Sequence, residues 1–576
     1  MNTNTAVPAP QASVESHPVY SGEDPRRFRI NVTTIGDLLL SAADRHGDKP
    51  ALIFPDETVS YNQLAERALH AARGLQALGV GNRDHVGILM HSCVRLAEMF
   101  FAVSLCGAVP VTINPRYRPS ELAYLIENAD LVTVVTSDEL GEQVDFVARL
   151  AEALPGVADQ PDPLKLSLAA TPRLRNLLVT GSSAPAGFIH QRQFDALAET
   201  VDEIAVHHAR VRTRVRDTGL ILYTSGTTAN PKGCLLSHEA MVRNAMATVR
   251  HRYLLNADDI AFSALPLYHI AALKPMLGML EVGGTFVAQG HFEPGECLRM
   301  MEQYRVTAVF LPFVTFLQGL LYHPDFATTD LSSVRIMNSC FAAQPKSVGE
   351  AYRKAMPGTM QMGTFGMTEA SGFVATGVWG MDEELGYTRL GLPLLGVEVR
   401  IVDAETGQDV GTDVHGEVLV RGFNLFDGYY RDPVKTAEAL DADGWFHTGD
   451  IGSLDGNGHI MFHGRLKDML KVGGENVAAA EIKEVLTRHP AVKLAQVVGI
   501  PDAKYAEVPA AFVELAPGQT ATEQELVDLC RREIAGFKVP RHVRFVTEWP
   551  MSASKIQRFK LRRELIEELG IDPEAP

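Results

Sequence analysis

No stretch of this chain stays apolar for the roughly 20 residues that a membrane-spanning helix needs. The runs at Ala261 to Leu267 and around Ile221 to Tyr223 are cut by polar residues or proline, so no integral membrane contact is expected and the cytoplasm is the expected location. The first 30 residues lack the charged head and apolar run of a secretory signal; their mixture of Pro, Ser, Thr and Ala reads as a disordered arm. The six cysteines (Cys93, Cys106, Cys234, Cys297, Cys340 and Cys530) form no CxxC pair and no zinc-type spacing, which fits reduced and mostly structural thiols. Positive charge is also short: 53 Lys and Arg against 70 Asp and Glu leave a net charge of -17. That argues against nucleic acid as a partner and requires any anionic ligand to be held by local groups rather than by the overall field. Repeats and low-complexity tracts are absent.

What is present is a chain of 576 residues, 46% hydrophobic and 21% charged, the composition of a globular protein too long for one compact domain. From Thr34 onward helical periodicity alternates with short apolar runs: Tyr61 to Leu78 helix, His85 to Met90 strand, Val94 to Leu105 helix. Further runs at Leu131 to Thr136, Gly219 to Tyr223, Thr285 to Val287 and Ala308 to Leu311 continue the pattern. This predicts an α/β fold of parallel-rich sheets with covering helices. After about Ile401 short strands and Gly/Asp turns predict a small antiparallel region, and from Ala478 the order helix, strand, strand, helix, strand predicts a small α+β domain. The expected division is an arm at 1–30, a large domain at 31–465 and a mobile C-terminal domain at 466–576.

The most informative segment is Leu220-Ile-Leu-Tyr-Thr-Ser-Gly-Thr-Thr-Ala-Asn-Pro-Lys-Gly233, a buried-strand pattern entering a loop of small hydroxyl and glycine residues that ends in Pro-Lys-Gly. Hydroxyls, backbone N–H groups and one lysine suit phosphate oxygens. A surface turn explains it poorly, because such a turn needs neither the preceding strand nor a lysine set between Pro and Gly. The G-x-x-x-x-G-K-[ST] loop of common nucleotide-binding proteins is not there.

In this loop the chain resembles the adenylate-forming superfamily of acyl-CoA synthetases, firefly luciferase and nonribosomal peptide adenylation domains, and is nearest to the acyl-CoA ligases. The resemblance continues in order along nearly the whole chain after the arm. It implies that Thr224, Ser225, Gly226, Thr227, Thr228 and Lys232 hold ATP phosphates, although Ala229 stands where the signature has Gly. In Thr364-Phe-Gly-Met-Thr-Glu369 it implies that Thr364, Phe365, Gly366, Met367 and Thr368 line the nucleotide site, with Phe365 stacking near adenine, and that Glu369 holds Mg²⁺, a hard cation suited to carboxylate oxygen. Asp450, in Trp445-Phe-His-Thr-Gly-Asp450, is implied to accept from the ribose hydroxyls, with Arg465 nearby. Lys467 falls at the hinge position, Gly473, Gly474 and Glu475 beside the pantetheine tunnel, and Lys555, in Pro550-Met-Ser-Ala-Ser-Lys-Ile-Gln-Arg558, at the catalytic lysine of adenylation. That last loop lacks the usual Gly before the lysine and is one residue short. Without the resemblance, Lys555 would read as a solvated charge in a basic C-terminal helix.

The implied reaction joins a small-molecule carboxylic acid to AMP and then to coenzyme A, with ATP, Mg²⁺ and CoA required. Catalysis then rests on positioning and charge neutralisation, with Thr224, Glu369, His269 and Lys555 as the catalytic set. Leu265-Pro-Leu-Tyr-His-Ile-Ala-Ala-Leu-Lys274 is similar to the acyl-pocket segment. His269 reads either as the gate between carboxylate and thiol or as a hydrogen-bonded core histidine, and Lys274 meets either a polar group or solvent. Ala271, Ser339, Cys340, Phe341, Gly363 and Gly372 complete the expected pocket, whose small and apolar character predicts a bulky hydrophobic acid. Transfer to a carrier protein, and thioester formation from an adenylate supplied by a partner adenylating enzyme, stay open as alternatives, as does a homodimer. A luciferase-like oxygenase and a noncatalytic nucleotide sensor are the readings from other classes.

Overall fold

The computed structural model describes residues 32–139, 144–224, 231–340, 346–466, 469–472, 475–502, 505–552 and 555–571. Two parallel-rich sheets dominate. One has seven strands in the spatial order Ile189–His190, Asn176–Thr180, Leu131–Ser137, His85–Leu89, Val109–Thr112, Thr218–Thr224 and Lys232–Ser237, all parallel except the last, which returns antiparallel. The other has nine strands, and its parallel middle runs through Met360–Met367, Ile336–Cys340, Ala308–Phe310, Ile260–Ser263, Thr285–Ala288 and Pro50–Ile53.

The sequence explains why these are strands and why they are central. Leu131–Ser137 is rich in β-branched residues and every one of its side chains is buried, as in a sheet covered on both faces. Tyr61–Ala77 starts at a reciprocal cap in which Gln63 N–H donates to Ser60 Oγ at 3.2 Å and Ser60 N–H to Gln63 Oε1 at 2.9 Å. Val94–Leu105 is buried at every position except Arg95, the mark of a helix with apolar neighbours all round. It packs with Ile35–His46 and Tyr61–Ala77 in a layer that shares one apolar cluster with strands of both sheets. The outer faces carry clusters of their own under Pro119–Asn128 and Phe146–Ala153 on one sheet and Pro294–Gln303, Val314–Leu321 and Lys346–Ala355 on the other. The architecture is α/β, as the alternation predicts.

An antiparallel sheet follows, made of Val397–Val402, Gly416–Gly422, Phe446–Leu454 and Ile460–Arg465; it begins a few residues before the expected Ile401. After Arg465 the chain enters a five-stranded sheet built on the long antiparallel pair Val492–Asp502 and Ala506–Leu515. Helices Ala479–Thr487 and Glu523–Glu533 cover one side of it and Arg558–Leu569 the other, each over a separate small core. None of the apolar clusters among the described residues contains buried members from both sides of the stretch 461–469. Lys555, expected in a loop, precedes the last helix. It lies in a short strand, Lys555–Ile556, paired with Met551–Ser552, and the helix starts only at Arg558. Among the described residues no helix is long and apolar enough to cross a membrane.

Candidate functional site

Thr224 ends a central strand and Lys232 begins its antiparallel partner, so the two face each other where the hydroxyl-rich loop leaves and rejoins the sheet. A later segment lies along this hairpin: Tyr430 N–H donates to the Gly233 carbonyl at 2.7 Å, and Leu235 N–H to the Gly428 carbonyl at 3.0 Å. The lacing sets the Tyr429 ring 4.9 Å from Lys232 Nζ, within cation–π range. The Tyr429 hydroxyl donates to Glu369 Oε1 at 3.1 Å, and burial followed by the Glu369 charge pushes its pKa above the usual tyrosine value, keeping it a donor. Lys232 and Glu369, far apart in sequence, thus meet at one tyrosine, with Thr224 across the strand pair from Lys232.

Glu369 follows the central strand Met360–Met367 in a single tight turn, Thr368–Ala370. Within the strand, Thr364 is fully buried and shares hydrogen bonds with Asn338, Tyr253 and Thr376, while Phe365 is 2% exposed and packed into the main core. A Cβ on Gly363 would fall 1.9 Å from the Arg389 carbonyl oxygen, and one on Gly366 2.0 Å from that of Gly372. Both glycines therefore serve close backbone packing.

Asp450 and Arg465 are cross-strand partners in the four-stranded sheet, and Arg465 Nε sits 3.1 Å from Asp450 Oδ1. The approach to Asp450 is fixed by backbone: Gly449 adopts φ +65° and donates its N–H to Glu417 Oε1 at 3.1 Å, and Asp450 N–H donates to Thr448 Oγ1 at 3.0 Å. The carboxylate is 5% exposed.

In the segment expected to line the acyl pocket, His269 caps the helix Ile270–Val282, its Nδ1 accepting from Ala271 N–H at 3.3 Å; this assigns the ring proton to Nε2. The preceding loop is held by Leu267 N–H donating to Ser92 Oγ at 2.8 Å and Thr112 Oγ1–H donating to the Tyr268 carbonyl at 3.0 Å. Ala271 and Ala272 are buried. Lys274 is 2% exposed, its Nζ lies 3.2 Å from the centre of the Phe373 ring, and it has no hydrogen-bond partner among the described residues. Burial holds its pKa well below the usual lysine value. Gly372, at φ +109°, lies against it: a Cβ there would be 2.7 Å from Lys274 Cδ. Of the two sequence readings for Lys274, solvent is excluded.

Ser225, Gly226, Thr227, Thr228, Phe341, Lys467, Gly473 and Gly474 lie outside the described residues, and Ser339, Cys340, Glu475 and Lys555 are described in backbone only. Sequence reasoning missed Tyr429 and Tyr253, whose neighbours show no motif. The aromatic pair at 429 and 430 following Asp-Gly was the one available signal for Tyr429.

Two family patterns match this chain: that of AMP-binding enzymes over residues 39–430 and that of the AMP-binding enzyme C-terminal domain over 481–555. The chain belongs to the AMP-binding enzyme family. A feruloyl-CoA synthase from an Amycolatopsis species is 33% identical over 513 residues, 88% of this chain and 94% of that protein. A methyl-dioxo-octahydro-indenyl propanoyl:CoA ligase from Mycobacterium tuberculosis is 33% identical over 518 residues, 89% of this chain and 96% of that one. Among solved structures, an anthranilate CoA ligase in complex with anthranoyl-AMP superimposes with a TM-score of 0.82 at 26% identity, covering 95% of this chain and 100% of the other. This member of the family is an adenylate-forming enzyme of the acyl-CoA ligase type, with ATP and CoA as its co-substrates.

Proposed function

We propose that this enzyme activates a bulky, mainly hydrophobic carboxylic acid as its acyl-adenylate and passes the acyl group to CoA. The carrying observation is the meeting of Lys232 and Glu369 at Tyr429, with Thr224 paired to Lys232 where the hydroxyl-rich loop leaves the sheet. In the first half-reaction a carboxylate oxygen attacks the α-phosphorus of ATP, the bond to the β-phosphate oxygen breaks and pyrophosphate leaves. Two anions must be brought together, and little covalent chemistry is asked of the protein. The loop Thr224 to Thr228 and Lys232 hold the phosphates, and Lys555 faces the developing charge between acid and α-phosphate. In the second half-reaction the CoA sulfur attacks the acyl carbonyl, the bond to the AMP phosphate oxygen breaks, and the thiol proton is released.

Glu369 supplies the oxygen donor a hard cation requires; one of its oxygens already accepts from Tyr429 and its remaining lone pairs are available to Mg²⁺. Bound there, Mg²⁺ neutralises phosphate charge. Asp450 and Arg465 form the ribose end: a buried carboxylate oriented by its arginine accepts from hydroxyls through charge-assisted hydrogen bonds. Residues 466–576 act as a unit that turns about Lys467, bringing Lys555 to the site for the first step and Gly473, Gly474 and Glu475 for the second. The separate cores on either side of 461–469 support this reading. The reaction belongs in the cytoplasm.

The pocket for the acid lies along His269, Ala271 and Gly372, with Ser339, Cys340 and Gly363 on the adjoining strands and Phe341 completing it. A small residue at 271 on a mostly apolar helix favours a bulky acid, and the feruloyl-CoA synthase and dioxo-octahydro-indenyl propanoyl:CoA ligase relatives carry bulky acids in their names. The decisive experiment screens acids with ATP and CoA, then measures pyrophosphate exchange and turnover of a preformed acyl-adenylate separately. Acetate or propionate as the best substrate overturns the bulky-acid reading; absence of exchange alongside adenylate turnover overturns the two-step reading in favour of thioester formation alone.

A further inference from the structure

Lys274 is an anomaly among the buried charges of this chain. The buried carboxylates of Asp259 and Glu281 are each met at 2.8 Å, by the partly exposed Arg335 and Arg250, and the buried Arg252 donates to the carbonyls of Leu392 and Pro393. Among the described lysines, Lys274 alone has a fully buried amine and no hydrogen-bond acceptor. A buried amine without an acceptor forfeits hydration with nothing in return, and the single aromatic face of Phe373 replaces only part of it. Packing alone gives no reason for a lysine, since methionine fills the same length at no such cost.

The surroundings accommodate its stem. Lys274 is one turn from Ala271 and Ile270 on the helix capped by His269, and its methylenes run past Gly372, where a Cβ would lie 2.7 Å from Cδ. Two carbonyls of the segment that carries Phe373 are already engaged: the Asn244 amide donates to that of Phe373 at 2.7 Å and to that of Ala370 at 3.3 Å.

We propose that Lys274 selects the substrate: its amine pairs with a second oxygen acceptor, a carboxylate or a ketone carbonyl, carried on the body of the acid away from the carboxyl group that is adenylated. This rests on the acyl-pocket reading given above and narrows it, from a bulky apolar acid to a bulky acid with one distal acceptor. The depressed basicity of the amine agrees with a site that lacks its counter-group until the acid arrives. A site built to hydrogen-bond such a group rejects the analogue without it more strongly than an apolar pocket rejects a missing methylene, because the buried donor is then left unpaired.

The test compares decanoic acid, oxodecanoic acids with the ketone moved along the chain, and linear dicarboxylic acids of graded length, each by kcat/KM in the coupled reaction and by pyrophosphate exchange. The wild-type enzyme should prefer at least one oxygen-bearing acid to its plain counterpart, and Lys274→Met should lower that ratio by about tenfold to a hundredfold, chiefly through KM, as expected for loss of a charged hydrogen bond. The KM for ATP should not move, which separates selection of the acid from general disturbance. The ketone and dicarboxylate arms distinguish the two acceptors. A wild-type ratio near one throughout both series overturns the proposal even if the variant fails to fold, and so does a ratio that Lys274→Met leaves intact. Acetate or propionate as the best substrate instead overturns the bulky-acid reading; decanoate as the best, with an unchanged ratio in Lys274→Met, overturns the role of Lys274 alone.

Discussion

The two ends of the site treat their polar groups differently. At the proposed nucleotide end, charged and polar side chains have partners within the protein: Glu369 takes the Tyr429 hydroxyl, Asp450 takes Arg465, and Thr364 sits in a shared network with Asn338, Tyr253 and Thr376. At the proposed acyl end the helix Ile270–Val282 is mostly apolar, and the Lys274 amine has no acceptor among the described residues. A ligand shared across a family can be met by groups that hold one another in place beforehand, which limits reorganisation on binding. A ligand particular to one enzyme leaves its mark as an unmet requirement.

Four measurements sharpen or break this contrast. The largest effect is expected of Lys555→Ala, which should lower pyrophosphate exchange by about a hundredfold to a thousandfold, the scale for removing one group that stabilises transition-state charge. Turnover of a supplied acyl-adenylate should be far less affected; equal loss in both assays removes Lys555 from the first step. Next, Asp450→Ala should weaken ATP and AMP by about tenfold to a hundredfold, the worth of hydrogen bonds to a charged acceptor, and leave the KM for the acid in place. Calorimetric titration with AMP reads this directly, and an unchanged affinity refutes the ribose role.

Smaller again, Ala271→Phe should raise the KM for the best bulky acid by roughly tenfold through overpacking, with short acids suffering less and ATP unaffected. Steady-state kinetics on long and short acids give the answer, and a uniform loss would argue for a folding effect. The smallest is a stability difference. Because the Lys274 pKa in the folded chain lies below the ordinary 10.5, the unfolded chain binds this proton more tightly, and wild-type stability should rise as pH climbs from the folded value toward 10.5. Lys274→Met removes that dependence. Its Tm should exceed the wild-type Tm near neutrality, with the gap closing at alkaline pH; parallel pH profiles would show that the amine is well solvated.

Much of the fold was legible because the signals were local and repeated. The strand Gly219 to Tyr223 and the helix Glu523 to Glu533 follow from apolar period and caps, and appear as Thr218–Thr224 and Glu523–Glu533. The loop expected to carry Lys555 holds a short antiparallel pair, Met551–Ser552 with Lys555–Ile556, a cross-strand pairing that no single segment announces. In the site, ordered motifs located Glu369, Asp450 and Arg465 by resemblance, and the Asp450 to Arg465 register then appeared as strand pairing. Tyr429 was invisible because its role comes from lacing along Lys232–Ser237, a contact across nearly two hundred residues. Lys274 was named but undecided: resemblance marked its segment, while its burial depends on Phe373 and Gly372, which arrive from a distant strand.

The sheet order also sets a timetable for synthesis. Pro50–Ile53 emerges early, yet its parallel neighbour is Thr285–Ala288, with Leu52 opposite Phe286. At translation rates of about 5–20 residues per second, that strand waits on the order of ten seconds or more for the neighbour it must join, and its apolar side chains meanwhile depend on local helices such as Ile35–His46 and Tyr61–Ala77 for cover. At the other end there is no such delay. No buried member of the large-body clusters lies beyond Ile460, so the body can close before the residues that follow have emerged. The part proposed to turn is thus added to a scaffold already set.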